Sequence, residues 1–364
     1  MTPEPADAVL FPYLWIRDRI SVGPHEIVPR GVLADDDFAS AQIKNDVEGL
    51  LKMYEMRGSM ANRFGCVVRR RDGKIGEHFA REEMRPLRRA VVAALLDRIP
   101  PEIGKKADTQ GWHVPTSDNA LVYLHQLDGS GRVAVQYGRM VELTVAGLTI
   151  GEEYSRIHAP SELHAPFLGP DPDEVYLNAL HAELTAGTPE ARRLARAIDW
   201  LDLAWRNTTS IDDDTRIGAL YSGFEVLLNN DSAAALANAL SGLLEPGATT
   251  TTRPIPVLRQ GQRCGFQPRE VTDLGWWFLF FGFLRHDITH GEEVAPRQYE
   301  WNKQSHLFLG ETRLRQAIKQ TVANAGHSTV LLDAFERIAH KFAAALIADS
   351  KADEQARSSQ SDPG

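Results

Sequence analysis

The stretch LGWWFLFFGFLRHDITHG, residues 274–291, decides how this chain is read. From Leu274 to Leu284 it is apolar on every side of a helical wheel, so a helix here belongs inside a bundle and not on a surface. Arg285, His286, Asp287 and His290 follow within little more than one turn, and Gly291 supplies the residue that most readily ends a helix in a left-handed cap. The sequence therefore predicts a buried helix over residues 274–290 whose last turn carries one guanidinium and two imidazoles. Trp276, Trp277 and the phenylalanines up to Phe283 read as core.

Those side chains suit one chemistry. A guanidinium holds phosphate through paired donors, and an imidazole titrating at about 6.5 exchanges protons near neutrality, which together are the parts a metal-free ribonuclease needs. Spacing alone is weak evidence, because a chain this rich in arginine, with 12 histidines, yields about one Arg-x4-His by chance. Arg19 with His25 and Arg71 with His78 come close to the pattern, but one lies in a Pro/Gly-punctuated segment and the other spans an Asp72-Gly73 turn. On an ideal helix Arg285 and His290 stand about 140° apart, whereas His286 and His290 share a face. A last turn unwound at Gly291 would bring Arg285 round. The i, i+4 histidines also suit a metal, but no third ligand with motif spacing accompanies them. The plain alternative is an ion pair of Arg285 with Asp287 or Glu225, with His290 complementing the helix dipole.

Composition sets the frame. At 364 residues with 43% hydrophobic content, the chain is long enough for two domains with real cores. It has no run of eighteen apolar residues, and Asp7, Arg17, Asp18 and Arg19 interrupt what would be a signal peptide, so the expectation is a cytoplasmic protein with no membrane partner. Cys66 and Cys264 lack CxxC partners and read as free thiols, and no motif calls for a cofactor or a metal. A net charge of −9 argues against a nucleic-acid-coated protein but leaves room for a local basic cleft.

Two regimes follow along the chain. Residues 1–175 read as a mixed α+β domain of unknown role, a sensing or recruitment module by expectation. Its helices are expected over 38–57 and 79–99, with short antiparallel strands over 120–126, 132–137 and 141–150. Residues 176–349 read as a helical bundle. Thr188-Pro189 starts one helix; others are expected from Asp214 or Thr215 to Leu228, over 233–244, 274–290, 311–324 and 328–349. Residues 248–269, with a threonine run and three prolines, read as a long loop carrying Arg253, Arg259, Arg263 and Arg269, ranked first as phosphate contacts for RNA. The cluster Arg69-Arg70-Arg71, Lys74, Arg81, Arg85, Arg88 and Arg89 is diluted by Glu77, Glu82 and Glu83 and reads as a solvated face. Residues 350–364 read as a disordered tail.

RIGALYSGFEVLL at 216–228 followed by LRHDITHG at 284–291 resembles the HEPN superfamily, most closely its ApeA-like branch. The resemblance covers roughly residues 180–349; the length of the 246–269 insertion departs from it. It implies an all-α HEPN-like bundle behind the α+β domain, working as a homodimer whose two motifs face a shared cleft. The implied activity is metal-independent cleavage of RNA, with Arg285 on the phosphate, His290 as general base or acid, His286 orienting phosphate or sharing the proton, and Glu225 fixing the arginine or an imidazole. It also implies a toxin or anti-phage setting, with an antitoxin or defence partner to match. The alternative function is a non-catalytic module that binds RNA or nucleotide, or that serves assembly.

Overall fold

A computed structural model describes residues 6–56, 60–61, 65–97, 117–127, 139–140, 148–150, 155–158, 171–206, 211–259, 262–302 and 304–327. The chain divides into two compact units, Met1–Ala179 with His327–Gly364, and Leu180–Gly326. Both strands and helices are present, so the protein is mixed α+β. The expected strand at 132–137, the helix at 328–349 and the tail at 350–364 lie outside the described residues.

The first unit is built on an antiparallel sheet of six strands: β1 (Ala6–Phe11), β2 (Ile20–Val22), β3 (His25–Pro29), β6 (Cys66–Arg70), β7 (Tyr123–Leu127) and β8 (Arg139–Met140), in the order β2-β3-β6-β1-β7-β8. The central strand β1 holds Val9, Leu10 and Phe11 at 0% exposure, so both of its faces are covered and its sequence shows an apolar run without alternation. A second sheet joins β4 (Tyr54–Met56), β5 (Met60–Ala61), β9 (Leu148–Ile150) and β10 (Ser155–His158), with β10 parallel to β4. Helix α1 (Ala41–Met53) starts where the Ser40 hydroxyl accepts the Ile43 N–H, and it packs Val47, Leu50 and Leu51 against Leu10, Val67 and Tyr123. Helix α2 is Arg81–Leu96.

Expectation and structure part at residue 54. The helix expected through residue 57 ends at Met53, and Tyr54–Met56 become a strand. Tyr54, fully buried, meets His125 of β7, with its Oη 2.5 Å from Nε2, and it lies edge-on to Tyr13 and tilted against Tyr123. Burial of that aromatic cluster outweighs the helical spacing that Tyr54 continues. The arginine cluster divides: Arg69 bonds Glu26 at 2.6 Å, Arg70 bonds Glu83 at 3.0 Å and Arg88 is 2% exposed, whereas Arg71, Lys74 and Arg85 are exposed as a solvated face requires.

Six helices occur among the described residues from 174 onward: α3 (Glu174–Thr185), α4 (Pro189–Ala204), α5 (Asp213–Leu228), α6 (Ala233–Leu244), α7 (Asp273–Thr289) and α8 (His306–Asn324). The first turns of α3 belong to the first unit, where Asn178 donates to the Ser21 carbonyl and accepts the Gly23 N–H. Side-chain caps start each following helix: Thr188 for α4, Asp212 for α5, Ser232 for α6, Thr272 for α7 and Ser305 for α8. The short strands β13 (Glu300–Trp301) and β14 (Gln304–Ser305) precede α8, and Trp301 packs edge-on against Trp276 at 4.8 Å.

The long loop is corrected. β11 (Thr251–Arg259) and β12 (Gln262–Val271) form a two-stranded antiparallel ribbon, so the second unit is not purely helical. Its prolines explain both the loop-like sequence and the fold. Pro254 faces Pro268, and Pro256 faces Phe266 two residues on. Pairs two apart in an antiparallel ladder are of one type, so all three prolines fit at positions whose nitrogens point away from the partner strand. A ribbon of two strands has only edges, so proline costs it no ladder bond there and blocks pairing with a third strand.

Candidate functional site

Helix α7 carries the site because its apolar body is locked among its neighbours. Leu274, Trp277, Phe278, Phe281 and Leu284 are all buried; Phe281 stacks on Trp277 at 5.4 Å and Phe278 on Tyr221 of α5 at 5.5 Å. Two glycines let the helices close up. A Cβ on Gly275 would stand 3.1 Å from the Ser241 hydroxyl of α6, and one on Gly282 would stand 3.2 Å from both Cε2 and Oη of Tyr221. These glycines serve packing within the chain.

Gly282 brings the phenol of Tyr221 flat onto α7 one turn before Arg285. The Arg285 Cζ lies 5.4 Å from the centre of that ring. Glu225 follows Tyr221 by one turn of α5 and is half-buried. Burial pushes the Tyr221 phenol up to about 12, the Glu225 charge adds to that, and the Arg285 charge opposes it. The three side chains therefore share one local field. Among the described residues Arg285 and Glu225 make no direct ion pair; the ring of Tyr221 is what holds the guanidinium.

The far end of α7 is a complete Schellman cap. Gly291, at φ 69°, donates its N–H to the Ile288 carbonyl at 3.1 Å, and Glu292 donates to the Asp287 carbonyl at 2.9 Å. The helix is intact up to that point, since His290 still donates its N–H to the His286 carbonyl at 3.0 Å. Unwinding at Gly291 therefore comes too late to bring Arg285 and His290 onto one face, and they keep the roughly 140° of an ideal helix. His286 and His290 do share a face, with ring centres 4.3 Å apart and planes at 50°. His290 and Thr289 are exposed, Arg285 and His286 half-buried, and Asp287 is buried at 7%. The last turn thus presents an imidazole pair to solvent on one side and a ring-held guanidinium on another. No group of three or more metal-ligating side chains forms among the described residues.

Arg253, with Arg269 opposite it in the ribbon, is not at this end. Arg253 lies over the Trp276 ring at 4.5 Å and bonds Asp273 at 2.7 Å, both in the first turn of α7. Seventeen residues at 1.5 Å each put that turn about 25 Å from His290 along the helix. Arg259 and Arg263 sit farther out on the ribbon, at the register positions Arg259↔Gln262 and Leu258↔Arg263. For Arg253, adjacency in sequence thus becomes separation by the length of a helix. Tyr221 was legible only as one member of a helical apolar series; Gly282, three residues before Arg285, was the available sign that something flat lies there.

Burial also fixes what the other histidines do. His306 is 3% exposed, stacks on Phe281 at 5.9 Å, and is pushed down to about 4 by burial, which makes it a neutral core residue. No helix among the described residues is long and apolar enough to cross a membrane. No family model, no curated protein and no solved structure matches this chain.

Proposed function

We propose that the second unit is a metal-independent endoribonuclease of the HEPN type, cleaving RNA at a composite site formed by the α7 ends of two copies. The observation that carries this reading is the imidazole pair His286 and His290, 4.3 Å apart on the solvent side of a rigidly capped helix end that also bears Arg285. Cleavage by the neighbouring 2′-hydroxyl needs two proton transfers. One neutral imidazole removes the 2′-proton as that oxygen bonds phosphorus; a protonated imidazole then supplies the proton with which the 5′-oxygen departs, leaving a 2′,3′-cyclic phosphate and a 5′-hydroxyl. A guanidinium on the non-bridging oxygens stabilises the phosphorane.

Within one copy Arg285 points to Tyr221 and lies about 140° from His290. That separation is the reason for a composite site, in which the arginine of one copy serves the histidines of the other. Glu225 acts through Tyr221 and the local field rather than by gripping Arg285. The same separation favours a second reading, a module that binds RNA or nucleotide without cutting it. The toxin or anti-phage setting is proposed on resemblance alone.

The test is cleavage of labelled RNA in EDTA by the full chain and by Arg285→Ala, His286→Ala and His290→Ala, with sedimentation of each. The proposal expects loss of at least about a hundredfold for His290→Ala, from the usual worth of acid–base catalysis, and a dimer. Undiminished cleavage in all three variants overturns it, as does full activity of a monomer. Binding without cleavage establishes the second reading.

A further inference from the structure

The ribbon is anchored at one end and unexplained at the other. Ile255 and Val271 are buried at its base, and Arg253 is fixed by Asp273 and Trp276. Beyond that base the chain places Phe266, 68% exposed and the most open large apolar side chain among the described residues. Folding gains nothing from an aromatic ring held in water, and no described residue covers it. Charge is the second oddity. Residues 251–271 carry Arg253, Arg259, Arg263 and Arg269 against the single acid Glu270, in a chain whose net charge is −9. The register sets Arg253 directly opposite Arg269, a like-charge pair that a sheet ordinarily avoids. Asp273 neutralises Arg253, whereas Arg269 is exposed and, among the described residues, meets the neutral Gln267 amide oxygen at 2.7 Å and no carboxylate.

An exposed ring on a ribbon that carries four arginines and one acid fits one kind of ligand, a polyanion with free aromatic faces. We propose that the β11–β12 ribbon grips single-stranded RNA as the strand crosses its open edge, with Phe266 stacking on an unpaired base on one face and Arg269, three residues on and so on the other face, holding the backbone phosphate of a nearby nucleotide. Duplex RNA offers the phosphates but keeps its bases stacked on one another, so the phenylalanine selects the single strand. The prolines serve the same use: they hold the two edges free of a third strand, so the ribbon stays open to nucleic acid. This inference deepens the ribonuclease reading and rests on it only for the identity of the polyanion as RNA. It assigns substrate capture to the end of α7 that lies about 25 Å from the histidines, a span that a stacked strand covers in about seven nucleotides.

The test separates capture from cleavage. The full chain carrying His290→Ala is titrated with a fluorescent 20-nucleotide single strand and with the same length of duplex, alone and with Phe266→Ala, Phe266→Tyr or Arg269→Glu added. Phe266→Ala is expected to weaken single-strand binding about 5- to 150-fold, the worth of one base–aromatic stack, and to leave duplex binding unchanged. Phe266→Tyr restores it. Arg269→Glu weakens both and flattens the salt dependence. Equal single-strand binding with and without Phe266 overturns the inference, and so does absence of RNA binding by the parent. Phe266-dependent binding by a wild-type chain that never cleaves RNA overturns the ribonuclease reading and leaves the ribbon standing.

Discussion

Removing the ring beneath Arg285 should uncouple that arginine from the bundle, by an amount a double-mutant cycle can read. The Tyr221 ring has three attachments. It stacks on Phe278 at 5.5 Å and 17°, leans on Phe281 at 6.0 Å, and carries the Arg285 guanidinium at 5.4 Å. Aromatic pairs are worth about 0.5–1.5 kcal/mol each beyond burial, so Tyr221→Leu alone should cost roughly 2 kcal/mol or more of stability, most of it unrelated to the arginine. A cation over a ring is worth about 0.5–1 kcal/mol in water and about 2 when desolvated; Arg285 is half-buried, which places the coupling near 1 kcal/mol. Urea unfolding of the parent, Tyr221→Leu, Arg285→Ala and the double variant isolates that number, because the Phe278 and Phe281 losses cancel around the cycle. Tyr221→Phe should retain the coupling, since the ring face and not the hydroxyl holds the guanidinium. If cleavage is observed, the same 1 kcal/mol corresponds to about a fivefold loss of kcat/KM in Tyr221→Leu through a mispositioned arginine. Additivity within about 0.3 kcal/mol would refute the claim that Tyr221 holds Arg285.

Glycine substitution on adjoining helices should go in opposite directions. Gly282→Ala drives a methyl to 3.2 Å from Tyr221 and should lower the unfolding free energy by about 1 kcal/mol or more net, whereas Gly218→Ala, on α5 with nothing within 4 Å of the new carbon, should raise it by about 0.5–1 kcal/mol; thermal melts of the two decide it. Acid should weaken the first unit through His125, which burial pushes down to about 4. Above pH 6.5 that histidine is neutral in both folded and unfolded chains and contributes no slope; below it the unfolded state takes up the proton, and stability falls by about 1.4 kcal/mol per pH unit until about pH 4. Between pH 7.5 and 5.0 the parent should therefore lose about 2 kcal/mol more than His125→Gln in urea unfolding, and equal losses would show that this imidazole does not titrate as its burial dictates.

What could be read from the sequence divides along a physical line. Helix starts were legible where one side chain meets one backbone N–H within three residues, as at Thr188 and the Ala191 N–H, because such bonds depend on no distant partner. The end of α7 was legible for the same reason, Gly291 being the only residue in that turn without a Cβ to oppose a positive φ. Strands were not. β1 is covered on both faces and so lacks alternation, Tyr54 continues a helical apolar series yet pairs across a sheet, and Pro254, Pro256 and Pro268 are breakers everywhere except on outward edge positions. In each case the deciding partner lies far along the chain. The candidate site splits likewise: Arg285, His286 and His290 stand in one turn and could be named, but which of them share a face depends on whether the helix stays wound to His290, which it does.

The ribbon carries that contrast into function. As a loop next to the motif, its arginines would have touched the phosphate being cut; in a ribbon based on the first turn of α7, Arg253 and the Arg269 opposite it stand a helix length away. Capture and chemistry then become separable, with a consequence for substrate length. For a cleavage-suppressed chain, affinity should climb as a single strand grows, because each added nucleotide brings the far end nearer the ribbon, and it should level off once about seven or eight stacked nucleotides span the 25 Å. A fluorescence titration of oligonucleotides from 4 to about 16 residues would show the climb and the plateau. Affinity already at its plateau for a tetranucleotide would mean that one end of α7 does all the binding, and the claim that a single strand spans ribbon and histidines would fall.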